Sequence, residues 1–471
     1  MSDTPPTVIR RLWFTAFAGH RAVPDPAAAK AAIARELETI RGTIEGELIG
    51  LSSAAAGADL LFLEACAEAG IRTVVLLPFP RERFREDFED EIEWARACRL
   101  MDAAWWCEVS PGGEDAPAAY HVVARETLDI ADRLLFLWDG KAPRGLGGTG
   151  ETVLETRERR IPSRIIAADT LEARWDIDPP ATKADPAFTD LPAATEVGEL
   201  FQKLDERASA GAPRSRWFAA GSMSLNHLAT LLQAILVVVA IAAEVGALVK
   251  FLLVLIAAIL PWIGGRLRWK ERWIRDRVGA ELLRSLLASH QPGSPLRPPA
   301  LELFGREEAL LRTAAMHLIR HRGDWETARD LYLRERVDGQ IGYLKSKGEK
   351  AASKMRIFGT LFWASAWTSM VLGGVAVTGA FMGAKATSPA GIWLTFLTTV
   401  LPGLAAWCLA MISVFEFKRR ASLYRQLVDE LIRLRPKVAA ANCSSALTRA
   451  MQQIERLLLN ELWEWQGSRD K

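Results

Sequence analysis

Three short stretches carry residue types that hold an anion. Phe17 to Arg21 (FAGHR) sets Gly19, which lets backbone approach a ligand, beside His20 and Arg21, which can donate to phosphate oxygens. Gly50 to Cys66 (GLSSAAAGADLLFLEAC) offers Ser52 and Ser53, and its Gly57 precedes a helical run whose first amides favour an anion. Residues 135–156 (LFLWDGKAPRGLGGTGETVLET) run from an apolar stretch into Asp139, then through Gly147, Gly148, Thr149 and Gly150 into a helix beginning near Glu151. Glycines there let backbone amides form a nest for phosphate, and Thr149 or Thr152 adds a hydroxyl. No GK[ST] follows, and no GxGxxG follows the first strand, so this is neither a P-loop nor a dinucleotide fingerprint. Each stretch alone has an ordinary alternative, such as surface His and Arg at a strand end or Ser as a helix cap. Together they point to a nucleotide-type site.

Bringing three such loops to one edge requires a parallel sheet. Residues 8–167 alternate short apolar runs with helical periods. Strands are expected at 8–17, 47–51, 72–77, 104–108, 133–138 and 163–167, with helices over 26–41, 57–69, 84–99, 118–131 and 150–160. Six strands joined by five helices predict an α/β doubly wound, Rossmann-like sheet, whose carboxyl edge is where open parallel sheets hold ligands. Residues 174–196, rich in Pro, Ala and Asp without apolar period, are expected to be a linker.

The rest of the 471 residues has a different character. A mean hydropathy of +0.06 averages a charged first half with four apolar blocks, roughly 225–243, 247–265, 357–382 and 391–415. A helix crossing the ~30 Å hydrocarbon core needs about 20 apolar residues, so an all-α membrane region of four transmembrane helices in two hairpins is expected. The first pair is the weaker, because Lys250 and Pro261 interrupt it. Basic residues flank the blocks: Arg214 and Arg216, RLRWKERWIRDR from 266, KSKGEKAASKMR before the third block, and KRR at 418–420. The hairpin loops carry almost none, so the positive-inside rule predicts a multi-pass membrane protein with both termini cytoplasmic. The first residues lack the basic start and apolar core of a secretory signal. Net charge of +2 decides nothing about nucleic acid, but the basic residues cluster beside the apolar blocks and form no separate Lys/Arg tract, a membrane-flank pattern that argues against nucleic acid as a partner. Five scattered cysteines without CxxC or metal-ligand spacing indicate neither disulfides nor a metal site.

The expected domains are 1–173, a nucleotide-sensing α/β domain; 174–196, a linker; 197–290, a first two-helix membrane unit; and 291–471, a second with cytosolic helices. The halves repeat in layout, with ELLR at 281–284 matching ELIR at 430–433, which suggests duplication. Residues 324–356 contain no proline and can run as one helix into the third block. Leu447, Met451, Ile454, Leu458, Leu462 and Trp465 share one helical face, expected to pack in cis or, preferably, to join copies in a homo-oligomer. Gln233, Lys250, Thr368, Ser369, Thr395 and Thr398 are candidates to face a water path, the alternative being helix-to-helix hydrogen bonds.

FAGHR, LSSAAAGADLLFLEA, VVLLPFPRERFREDF (74–88) and DRLLFLWDGKAPRGLGGTGETV (132–153) together resemble the SLOG superfamily, over about residues 7–170. This Rossmann-like group includes the LOG phosphoribohydrolases, DprA-like proteins and the N-terminal domain of melastatin-type TRP channels. The third stretch adds Phe79 and Arg83 to the expected site through this resemblance. The membrane half is similar in layout to SLATT domains, two-helix membrane effectors that accompany nucleotide sensors and nucleotide-producing enzymes in bacterial conflict systems. YLRERVDGQIGYLKSKGEKA (332–351), with Arg336, Gln340 and Tyr343, carries that likeness.

LOG hydrolases carry PGGxGTxxE, whose glycines hold the phosphate and whose Glu acts on the ribosyl bond. Gly147, Gly148 and Gly150 match the glycines, but Leu146 replaces the proline, Glu151 the threonine and Leu154 the glutamate. Glu155 lies about 100° further around the helix. The resemblance therefore implies a reader of a nucleotide-derived ligand, a cyclic nucleotide or an NAD-derived compound such as ADP-ribose, and not an enzyme. Glu151 is the residue that keeps hydrolysis open. The implied function is a membrane effector of the anti-phage kind that disrupts the membrane on ligand binding, partnered by lipids and by a nucleotide-producing enzyme encoded nearby. The alternatives are a membrane-anchored LOG-like hydrolase and a ligand-regulated channel or transporter.

Overall fold

Short apolar runs rich in Leu, Ile, Val and Phe become the strands of one sheet, and the helical periods between them become its crossovers. The computed structural model describes residues 9–467 other than 111, 114, 144, 240–242, 267, 268, 300, 384 and 386. Some helical side chains, among them those of Arg214, Arg216 and Trp465, also lie outside the described residues. The order is β1 (Leu12–Gly19), α1 (Pro26–Arg41), β2 (Glu47–Ser52), α2 (Ala58–Glu68), β3 (Arg72–Leu77), the short α3 (Arg81–Phe84), α4 (Glu91–Ala103), β4 (Trp106–Val109), α5 (Ala116–Ile130), β5 (Arg133–Trp138), α6 (Thr149–Arg159), β6 (Ser163–Ala167) and β7 (Ala173–Ile177).

The strands lie in the order β4-β3-β2-β1-β5-β6-β7, parallel except for β7. The chain builds outward from β1 to β4 and then returns to place β5 against the other side of β1, with Gly19 opposite Leu137. Connections therefore leave the carboxyl ends of β1 and β5 in opposite directions, which opens a crevice there. Both faces of the central strands are covered, so β1, β2, β3 and β5 are buried almost throughout, as parallel sheets require.

Three differences from the expected elements have local causes. The helix expected over 84–99 starts at Glu91, because the Asp90 carboxylate caps Ile92 N–H at 3.0 Å and Phe84 and Phe88 turn inward onto Trp94. The first strand begins at Leu12 and includes Gly19. The strand β7 takes in residues 174–177, the start of the expected linker, and is held by Arg157 on Asp176 and by the Arg164 guanidinium over the Trp175 ring. The stretch after β7 is also tied down: Arg11 Nε donates to Asp185, Glu45 N–H to Lys183 O, and Ile9 N–H to Ala194 O.

The chain forms two compact units. Unit 1 comprises residues 1–195 together with 294–297 and 306–317, so a piece expected within the second membrane unit belongs with the sheet. Its helix, α10 (Glu308–His317), buries Leu310, Leu311, Ala314, Ala315 and Met316.

Unit 2 is helical: α7 (Val197–Val239), α8 (Ala243–Arg266), α9 (Trp269–Ser289), α11 (Trp325–Leu331), a π-helical stretch over Tyr332–Asp338, α12 (Gly339–Phe381), α13 (Pro389–Val414), α14 (Phe417–Ala439) and α15 (Ser444–Gly467). The helix α7 packs on α8 and α9 as α12 packs on α13 and α14, which repeats the layout expected of the two halves. Among the described residues three helices are long and apolar enough to cross a membrane, with spans in Gly246–Ile263, Trp325–Phe381 and Pro389–Ala439. The first expected block, 225–243, is not among them, and its residues 240–242 lie outside the described residues.

The C-terminal stripe does not face outward. Leu447, Met451, Ile454 and Leu462 are buried, the first three in a core with Tyr332, Val337, Leu427 and Leu431 of the same chain. Thr395 and Thr398 hydroxyls donate to carbonyls of their own helix, and Lys250 Nζ lies 3.4 Å from Gln233 Oε1 on α7. The first pair of contacts is the ordinary way for a membrane helix to satisfy a hydroxyl.

Candidate functional site

At the β1/β5 crevice the structure has a cavity of about 440 Å³. The loops after β1, β2 and β5 all reach it, and so does the inner face of α5.

The β1 loop supplies Gly19, His20 and Arg21. Gly19 is required sterically, since a Cβ there would stand 2.6 Å from the Cβ of Ala58. The Asp139 amide donates to His20 Nε2 at 3.0 Å, tying the first loop to the fifth, so in this geometry Nε2 accepts and the ring proton belongs on Nδ1. Asp139 Oδ1 is 3.2 Å from the same nitrogen, a contact that would need the proton on Nε2, and the direction fixed by the backbone amide takes precedence. Arg21 Nη2 donates to the Tyr120 hydroxyl at 3.3 Å and lies against its ring.

In the β2 loop, Ser53 lines the cavity, whereas Ser52 is buried behind it. Both hydroxyls donate to Asp59 Oδ2, at 2.9 and 2.8 Å, from the first turn of α2. Asp59 also lines the cavity. Burial pushes its carboxyl above the usual range, and the serine hydroxyls and backbone amides pull the other way without cancelling it. Gly57 does not reach the cavity; it permits the turn, with φ +86, and a Cβ would fall 2.0 Å from Arg21 O.

The β5 loop is built around Gly147, whose φ of +73 and closeness to His121 N (2.7 Å from a built Cβ) exclude other residues. Gly148 is the N-cap of α6, and Gly148, Thr149, Gly150 and Thr152 line the cavity. The first-turn amides of α6 have no acceptor within the helix, which makes this end the natural seat of an anion. The Thr149 hydroxyl donates to Gly19 O and so ties the fifth loop to the first, while that of Thr152 donates to Gly148 O within the first turn of α6. Glu151 does not line the cavity. Its carboxylate accepts from the N–H of Gly147, one residue before the N-cap, and stands 3.6 Å from His121 Nδ1.

Phe79 and Arg83 lie one layer back and do not line the cavity. Phe79 is buried edge-on to Tyr120, Arg83 stacks over Phe79, and the Tyr120 hydroxyl donates to Asp87. Burial and Asp87 together push the Tyr120 phenol well above its ordinary range. Leu154 is 46% exposed, and Glu155 is drawn to Arg159 at 2.8 Å.

Sequence reasoning missed Asp59, Tyr120, Val123, Ala124, Thr127, Trp138 and Lys141. Asp59 stands within the stretch Gly50 to Cys66, and its burial was the missing fact. The α5 residues carry no motif, and only packing turns them inward. The cavity is thus lined by Arg21, Lys141 and the α6 terminus, by the carboxyls of Asp59 and Asp139, the latter 3.9 Å from Lys141 Nζ, and by the apolar Phe17, Val123, Leu134 and Trp138. That suits an anionic ligand with a flat apolar part. Among the described residues no three His, Cys, Asp or Glu side chains cluster as metal ligands. No protein-family model and no curated protein matches the chain.

Proposed function

We propose that this chain is a membrane effector whose sheet unit reads a nucleotide-derived ligand, a cyclic nucleotide or an NAD-derived compound such as ADP-ribose, and whose helical unit permeabilises or disrupts the membrane in response. The observation that carries the reading is a glycine-turn anion seat with no carboxylate at the position of the LOG hydrolase glutamate, because Leu154 is apolar and outward-facing and Glu155 is engaged with Arg159. The likeness to SLOG sensors and SLATT effectors supports the same reading and supplies its setting: an anti-phage response at the bacterial inner membrane, both termini cytoplasmic, several copies acting together, and an enzyme encoded nearby making the signal.

One observation favours a second reading, a LOG-like hydrolase. Asp59 is a buried carboxyl in the cavity wall whose proton affinity is raised, the property of a general acid. Full-length protein in detergent, incubated with cyclic nucleotides and NAD-derived compounds, separates the two. A raised melting temperature with intact ligand is the expected result, and consumption of a compound would favour the hydrolase.

A further inference from the structure

The helix α5 has two engaged sides. Tyr120, Val123, Ala124 and Thr127 face the cavity. Glu126 and the carbonyls of Asp129 and Ile130 hold the two pieces of unit 1 that come from far along the chain, 294–297 and 306–317. Arg297 Nη2 donates to Glu126 at 2.7 Å and to Glu108 at 3.4 Å, and Ser294 donates to Glu108 at 2.9 Å. Arg312 is buried and donates to the last carbonyls of α5, Asp129 O and Ile130 O, where a cation also meets the negative end of the helix. The strand β1 is shared in the same way: Phe17 to Gly19 line the cavity, while Leu12 N–H donates to the Thr313 hydroxyl at 3.2 Å.

We infer that α5 couples the cavity to this strap, so that an occupant pressing on Val123, Ala124 and Thr127 changes how Arg297 and Arg312 hold residues 294–297 and 306–317. The inference deepens the proposed function and rests on it, since it names the regulation of that site. A 15-residue helix moves as one body, because its side chains interlock with neighbours at interior density and cannot give way locally. Beyond the strap the chain is covalently continuous: after His317 it runs through a short turn into the helical stretch Trp325–Phe381, which is long and apolar enough to cross a membrane. Coupling must also run backwards, so loosening the strap alters the cavity by the same factor.

The test is hydrogen exchange on the full chain in detergent micelles. Ala124→Phe puts a ring into the cavity from α5 without any ligand, and exchange over 306–317 is expected to change about fivefold or more, the lower end of ordinary coupling. Arg297→Ala, at a half-exposed side chain, is expected to change exchange over 145–152, on the cavity side, by a similar factor. The inference stands if either variant moves the far side and is overturned if neither does; should Ala124→Phe fail to fold, Arg297→Ala decides alone. Adding ADP-ribose to the unmodified chain separates the two claims. Its binding with both variants silent removes the coupling and keeps the sensor, whereas responsive variants without ADP-ribose binding keep the coupling and count against that ligand.

Discussion

Gly147 and Gly148 are adjacent and answer to different physics. Gly148 has extended φ, its nearest contact for a Cβ is Gly145 O at 3.4 Å, and it is the N-cap of α6, where Asp is a favoured residue. Gly148→Asp should therefore keep or raise stability, by roughly a few tenths of a kcal/mol, while a carboxylate at the anion seat abolishes binding of anionic ligands. Titration calorimetry beside a melting curve reads both effects. Gly147→Ala should lose folding and binding together, by roughly 1–3 kcal/mol in stability, because both φ and space are wrong. Asp59 yields a pH prediction. Its carboxyl holds the proton more tightly in the folded chain, so its contribution to stability is complete below about pH 4 and declines as pH rises through the raised folded value. Asp59→Asn removes that decline, and the melting-temperature gap between wild type and variant should shift toward the variant between acid and neutral pH.

At the scale of elements, buried pairs decide more than periodicity does. The π-helical stretch presents Tyr332 and Arg336 to Glu455 of α15, with guanidinium contacts of 2.9 and 2.6 Å and the phenol at 2.8 Å, all out of water. Removing one member of a buried ion pair leaves the other uncompensated, at a cost of about 3–5 kcal/mol. Glu455→Ala should accordingly lower the melting temperature of the full chain and release α15, read as faster exchange over 444–462, whereas Arg433→Ala, at an exposed pair, should change neither. The hydrophobic stripe on α15 was legible in the sequence. Its partner was not, because a stripe states that a face needs covering and leaves the cover to whichever apolar face packs against it, here 332–344 and 427–438.

At the scale of the molecule, the sheet unit is not a contiguous segment. A fragment ending at 173 lacks β7, the 178–195 return and the strap, and leaves the α5 carbonyls and Leu12 N–H without their partners. It also exposes what Leu310, Leu311 and Met316 cover, a loss on the order of 4 kcal/mol or more. Urea unfolding should place its midpoint well below that of the same unit in the full chain. In cells, the proposed function predicts that toxicity on induction requires ligand and disappears in Gly148→Asp; toxicity that persists would point to an unregulated pore.

Taken by itself, the sequence determined the alternation of strand and helix over residues 12–167, the three loops at one sheet edge, and the apolar blocks, because each is written in local periodicity, turn residues or length. The tertiary structure alone decided that Asp59 is buried in the cavity wall, that Phe79 and Arg83 stand behind it, that Glu151 is turned onto Gly147, and that α5 supplies a wall on one side and an anchor on the other. Those facts depend on which distant segments pack together, and Arg312 reaching Ile130 across 182 positions leaves no mark in the residues on either side of it.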